Sequence, residues 1–343
     1  MHRPLTMACV FGCAGTRLTA EEAAFFRDAK PWGFILFARN IETLEQTRAL
    51  ADDLRNAVGR AGAPVMADQE GGRVQRLGPP RWRRYPPAGA YAASRLSADE
   101  RREAVQLAGR LVAEDLREAT INVNCAPVAD TPGPGAHGVI GDRAYAETPD
   151  LVAELAGAAA AGLIAGGVAP VVKHLPGHGR ADADSHHELP RVDAGLAELE
   201  ASDFIPFRAL ADLPLGLTAH VAYQAFDPGR PATTSAIVIR EAIRGAIGFK
   251  GLLLSDDLAM RALPGSLTAR AAAALGAGCD VVLYGGGDRS GSEAVAVGAR
   301  DVDGGRAGEV DRRLREIADA ADSIDIGSAR RRFDHLLRVG GLA

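Results

Sequence analysis

Short apolar runs alternate with longer amphipathic stretches from one end of the chain to the other, and this alternation constrains the fold more than any other feature. The runs are Met7–Phe11, Gly33–Phe37, Pro64–Asp68, Ile121–Cys125, Ala169–His174, Leu215–His220, Gly251–Asp256 and Cys279–Tyr284. Near-continuous apolarity suits parallel strands that are covered on both faces. Between the runs, the pattern predicts helices over Ala20–Arg27, Leu44–Val58, Ala98–Ala119, Asp150–Ala165, Ala194–Ala211, Ser235–Ala246 and Thr268–Ala277. In the third of these, Val105, Leu107, Ala108, Leu111, Val112 and Leu116 fit a helical period. Thr19 ahead of Glu22 and Ser97 ahead of Glu100 predict capping boxes. The order of elements predicts an α/β fold, a single (β/α)8 barrel, with a doubly wound open sheet as the alternative. Asp311–Leu342 is expected to form terminal helices packed outside the barrel.

Nothing in the 343 residues marks a second domain, so one catalytic barrel over 1–343 is expected, although length alone would allow two. Hydrophobic residues make up 47% and charged residues 24%, which excludes a disordered chain. The net charge of −5 offers no basic excess for nucleic acid or an acidic membrane surface. No apolar run approaches the ~20 residues of a membrane span. Val10-Phe11-Gly12-Cys13 loosely resembles a lipoprotein cleavage site, but the segment before it is too short for a signal sequence. A cytoplasmic protein is therefore expected, with a monomer as the default for an oligomeric state on which the sequence is silent. Cys9, Cys13, Cys125 and Cys279 are too few and scattered for a disulfide framework and are expected as packed free thiols.

In barrels of this kind, active sites lie at the C-terminal ends of the strands. Those ends carry Asp68, Asn124, Lys173-His174, His220 and Asp256-Asp257. Any one of them suits a helix cap or a satisfied buried group; together they point to an enzyme. Two long stretches between elements, Glu70–Tyr91 and Pro176–Val192, are too rich in reactive side chains to be linkers. Glycines on each side of His178 predict that the second is mobile.

That second stretch continues Lys173-His174-Leu175-Pro176-Gly177-His178-Gly179 through Arg180, Asp182 and Asp184 to Ser185-His186-His187. Three readings compete. His174, His178, Asp182, Asp184 and His186 are possible metal ligands, but Pro176 and Gly177 break the helix that would put the first two on one face. Asp184-x-His186 in an extended loop would place both side chains on one side, so that the carboxylate fixes the imidazole tautomer and the other ring nitrogen exchanges a proton with substrate. Asp256 is then free to act as nucleophile or electrostatic stabiliser, as in glycoside hydrolysis. The third reading leaves the histidines merely solvated.

The same residues resemble the signature of bacterial β-N-acetylhexosaminidases of glycoside hydrolase family 3, the NagZ type. The resemblance extends to Gly33–Asn40, Asp68-Gln69-Glu70-Gly71-Gly72-Arg73-Val74, Asn124–Asp130, Ile140–Arg143, Thr218–Val221 and Leu254–Met260, and spans roughly residues 8 to 285. Leu175 replaces a commoner Phe. The resemblance implies a (β/α)8 barrel and a retaining mechanism through a covalent glycosyl-enzyme. It implies Asp256 as nucleophile and His186 as acid/base with Asp184 as its partner. It also implies that Asp68, Arg76, Arg143, Lys173 and His174 hold the N-acetylglucosamine, with no metal and no cofactor. The Asp-x-His spacing favours His186 over His187, Asp257 is expected to be structural, and His178 to support the loop. Larger family-3 β-glucosidases carry a second domain with a glutamate acid/base; here the Asp-x-His loop stands in its place. The implied substrates are N-acetylglucosaminyl-1,6-anhydro-N-acetylmuramic acid fragments from cell-wall recycling. A phosphorylase on the same scaffold, a metal-dependent hydrolase and a non-catalytic sugar-binding barrel remain as alternatives.

Overall fold

The computed structural model describes residues 6–135 and 137–342; residues 1–5, 136 and 343 of the expected 1–343 span lie outside the described residues. Eight strands close into a barrel: β1 (Met7–Phe11), β2 (Pro31–Leu36), β3 (Val65–Ala67), β4 (Val123–Asn124), β5 (Ala169–Leu175), β6 (Leu215–Thr218), β7 (Leu252–Asp257) and β8 (Val281–Tyr284). Each pairs in parallel with its neighbours in chain order, and β8 returns to β1. The open-sheet alternative is thereby excluded.

Every strand runs within a few residues of its apolar segment, because burial on both faces selects that composition. Val10, Ile35, Met66, Val123, Val171, Leu217, Leu254 and Leu283 pack together inside the barrel. Phe11, Phe34, Val65, Val172, Leu253 and Val282 belong to the larger core outside it, against the helices. Alternation along each strand thus divides one apolar sequence between two cores. Val10 and Phe11 being strand residues, the segment resembling a cleavage site is part of the barrel wall. All four cysteines are buried and free.

Both capping boxes form, at Thr19 and Ser97. The single helix expected over Ala194–Ala211 is two short ones, Leu196–Ala201 and Phe204–Ala209. Pro206 has no N–H to donate to the Ser202 carbonyl, and the Ser202 hydroxyl and Asp203 carboxylate are drawn to Arg180 instead. Helix Ile326–Gly340 packs on Ala98–Glu118 outside the wall. Helix Gly304–Asp319 lies across the mouth opposite the site, where Ala307, Val310 and Leu314 cover the interior residues and Asp311 accepts from the Trp32 indole. Among the described residues no helix is long and apolar enough to cross a membrane.

Candidate active site

The alternation that fills the barrel also builds the site. Two residues beyond the inward-facing Met66, Val123, Val171 and Leu254 stand Asp68, Cys125, Lys173 and Asp256. All four line a cavity of about 180 Å³ at the C-terminal ends of the strands. The uppermost layer is therefore the continuation of the apolar filling, with polar residues substituted where the barrel opens.

Two register shifts add neighbours that strict alternation would turn outward. Between β5 and β6, Lys173 pairs with Leu217 but Leu175 with Thr218, so one extra residue sits in β5. Between β7 and β8, the step from Leu254 to Asp257 faces the shorter step from Val281 to Leu283. Such bulges re-aim side chains. As a result His174 lines the cavity beside Lys173, and Asp257 beside Asp256.

The floor is an ion network. Asp68 takes the Lys173 ammonium on Oδ1 at 2.9 Å and Arg76 on Oδ2 at 3.1 Å. Glu70 receives Arg143 in a two-pronged contact of 2.9 and 2.8 Å, and lies 2.6 Å from Lys173 Nζ. Burial alone would neutralise both carboxyls, but Lys173 with Arg76 holds Asp68, and Lys173 with Arg143 holds Glu70, below the usual carboxylate range. Burial likewise opposes the ammonium, yet Asp68 and Glu70 keep Lys173 above its ordinary value. Arg76 Nε is buried and lacks a partner among the described residues.

Asp256 is also held below the usual carboxylate range, because His220, His174, the Asp257 N–H and Lys173 outweigh its burial. Its Oδ1 accepts that N–H at 2.8 Å. Asp257 is shifted the other way by burial and accepts from the Ala259 and Gly285 N–H groups.

Asp184 and His186 belong to a turn, not the extended loop expected. Asp184 Oδ1 accepts the His186 backbone N–H at 2.9 Å and lies 2.7 Å from Nδ1 of the same residue. This local closure brings the pair together, and it leaves Nε2 without a partner among the described residues. His186 lines the cavity. His187 reaches the same carboxylate only at 4.0 Å and does not.

Of the strand-end residues, Asn124 and His220 do not line the cavity. Asn124 exchanges two hydrogen bonds with the Gln69 backbone. His220 spans Thr233 and the Asp257 carbonyl. The possible metal ligands have separate partners: His174 with Asp130, His178 with Ser185, and Asp182 with the Arg191 N–H. No three of them, or of any other histidine, cysteine or acid among the described residues, are grouped to hold a metal ion. Two residues that sequence reasoning quoted without a role prove central. Glu70 gathers Lys173 and Arg143, and Asp130 accepts from His174 Nδ1 at 2.7 Å and from the His178 N–H at 2.7 Å. The surplus of positive candidates in the sequence was a signal for Glu70.

A model of the glycosyl hydrolase family 3 N-terminal domain matches residues 5–308. Over 280 residues the chain is 44% identical to a β-hexosaminidase of Alkalilimnicola ehrlichii, covering 80% of this chain and 79% of that protein. The fold is similar to that of native NagZ from Neisseria gonorrhoeae, with a TM-score of 0.84, 31% identity, and 99% and 98% of the two chains covered. The same relative in complex with N-trifluoroacetyl-D-glucosamine gives a TM-score of 0.83 at 31% identity, with coverage of 99% and 98%.

Proposed function

This chain belongs to glycosyl hydrolase family 3 and is a β-N-acetylhexosaminidase, and from that premise we propose that it removes terminal β-1,4-linked N-acetylglucosamine by a retaining, two-step displacement. The Asp256 carboxylate attacks the anomeric carbon while the bond to the leaving oxygen breaks. His186 donates its Nε2 proton to that oxygen, and Asp184 at Nδ1 supports the ring's tautomer and charge. In the second step His186 takes a proton from water, the water oxygen bonds to the anomeric carbon, and Asp256 leaves as a carboxylate.

Asp68, Arg76, Arg143, Lys173 and His174 hold the sugar. A buried network of this kind discriminates hydroxyl patterns well, since a missing hydroxyl leaves a desolvated partner unpaired. The unpartnered Arg76 Nε is a donor such a ligand would satisfy. The substrates are N-acetylglucosaminyl-1,6-anhydro-N-acetylmuramic acid fragments, with or without peptide, consumed in cytoplasmic cell-wall recycling without metal or cofactor.

One observation carries this reading: Asp256, held below the usual carboxylate range, and His186, paired at Nδ1 with Asp184, line the same small cavity. The test is release of nitrophenol from 4-nitrophenyl N-acetyl-β-D-glucosaminide with EDTA present, in wild type and Asp256→Asn. Turnover that survives EDTA, collapses in the variant and first yields the β-anomer supports it; loss on chelation restored by zinc overturns it. Because the acid/base is an imidazole, which repels incoming phosphate less than a carboxylate would, phosphorolysis is the second reading. Formation of N-acetylglucosamine 1-phosphate in phosphate buffer would favour it.

A further inference from the structure

Asp184 and His186 are on an exposed turn, yet the residue between them is buried: Ser185 is 3% exposed. Its Oγ lies 3.2 Å from His178 Nε2, and its carbonyl accepts from the Ala262 N–H at 3.2 Å. His178 in turn is fixed from several sides. Its N–H donates to Asp130 at 2.7 Å, and the Tyr223 hydroxyl donates to the Gly177 carbonyl at 2.5 Å. At Gly179 a Cβ would stand 1.9 Å from the Thr131 carbonyl oxygen, so only glycine lets the chain pass there. Gly179 thus serves close packing, whereas Gly177 takes a φ of +141° that favours glycine. Asp130 also holds His174, whose ring meets that of His178 edge-on with centroids 5.7 Å apart.

One buried carboxylate therefore connects a residue of the cavity floor to the underside of the turn. The His178 ring is an expensive choice for mere filling, since Nδ1 is buried without a partner among the described residues. Its one side-chain hydrogen bond goes to Ser185.

We propose that the His178–Ser185 hydrogen bond is a latch that orients the Asp184–His186 pair for proton transfer to the leaving group, which makes His178 and Ser185 positioning residues. The inference rests on the reading of His186 as acid/base. An activated aryl oxide departs with little protonation, whereas a sugar alkoxide must receive its proton as the bond breaks. A misdirected acid is therefore felt selectively by poor leaving groups.

The experiment measures kcat/KM for 2,4-dinitrophenyl N-acetyl-β-D-glucosaminide and for N,N′-diacetylchitobiose in Ser185→Ala, His178→Ala, His178→Gln, the double alanine variant and His186→Ala. Both single alanine variants are expected to lose about tenfold to a hundredfold on the disaccharide and severalfold less on the aryl glycoside. The double variant should lose no more than either single one, because both remove the same bond. His178→Gln, which keeps an N–H donor near Nε2, should recover most of the loss. Equal losses on both substrates, or none on the disaccharide while His186→Ala remains selective, overturn the latch. If His186→Ala itself lost equally on both, the acid/base reading would fail first and take the latch with it. Ser185→Ala deletes a single oxygen, so it keeps the test open should His178→Ala not fold.

Discussion

The floor and the turn of this site are built in opposite ways. Lys173 is 4% exposed on its side chain and Glu70 6%, and both belong to a network that grows out of the barrel's filling. His186 is 61% exposed, and its partner Asp184 comes from two residues away. On the floor, each charge is tolerated because others surround it, so orientation and stability are coupled. On the turn, the pair is solvated and local, so orientation has to come from what lies beneath. On the proposed roles, sugar binding falls to the buried floor and proton transfer to a tethered surface segment.

Substitutions can break this contrast. The largest effect is expected at Asp256→Asn, where kcat should fall by about four orders of magnitude or more; burst kinetics on an aryl glycoside would show whether the covalent step is lost. Glu70→Gln should leave Lys173 and Arg143 short of a counter-charge in a desolvated place and cost about 3–5 kcal/mol of stability. A denaturant midpoint equal to wild type would mean the floor is not coupled as described. Asp184→Asn should instead lower kcat by about 10²–10³ with a stability change within about 0.5 kcal/mol. A marked loss of stability in that variant would erase the difference between the two regions.

Acid titration sharpens the comparison at the join between them. Burial, then the neighbouring His174, pushes His178 down to about 4 from an ordinary 6.5, against the pull of Asp130 and Asp256. As pH falls, the unfolded chain takes up this proton first. The native state is therefore unaffected above about 6.5 and loses up to about 3 kcal/mol as pH falls from there toward 4. Denaturant midpoints measured at pH 7 and pH 4.5 should move apart less in His178→Gln than in wild type. The smallest effect belongs to His187→Ala, since that ring lies at 4.0 Å from Asp184 and outside the cavity. Activity there should stay within about twofold, and a larger fall would reopen the choice between the two histidines.

Much of the barrel and part of the site could be read along the chain. Asp68, Lys173 and Asp256 were visible as polar ends of apolar runs, since side-chain parity is a local property that each strand carries in its own sequence. His174 and Asp257 were visible at the same ends, but turning them into the cavity needed the bulges, which are relations between two strands. Glu70 and Asp130 stood inside recognised segments but had no visible partner, because theirs come from 73 and 44 residues away in sequence. The Ala194–Ala211 segment read as one helix because its apolar period is continuous, and the competition from Arg180 lies outside that window.

By itself the sequence determined the alternating α/β order, which end of the strands is polar, and which residue types are available there, while closure of the sheet was left to the structure. Those follow from hydrophobic burial and from the two-residue repeat of a strand, both of which act over a few neighbours. Only the tertiary structure decided which charges neutralise one another, which histidines face the cavity, and what holds the exposed turn. Those outcomes depend on desolvation and on contacts closer than about 3 Å between residues far apart in the chain, and a charge in a low-dielectric floor takes its state from its neighbours.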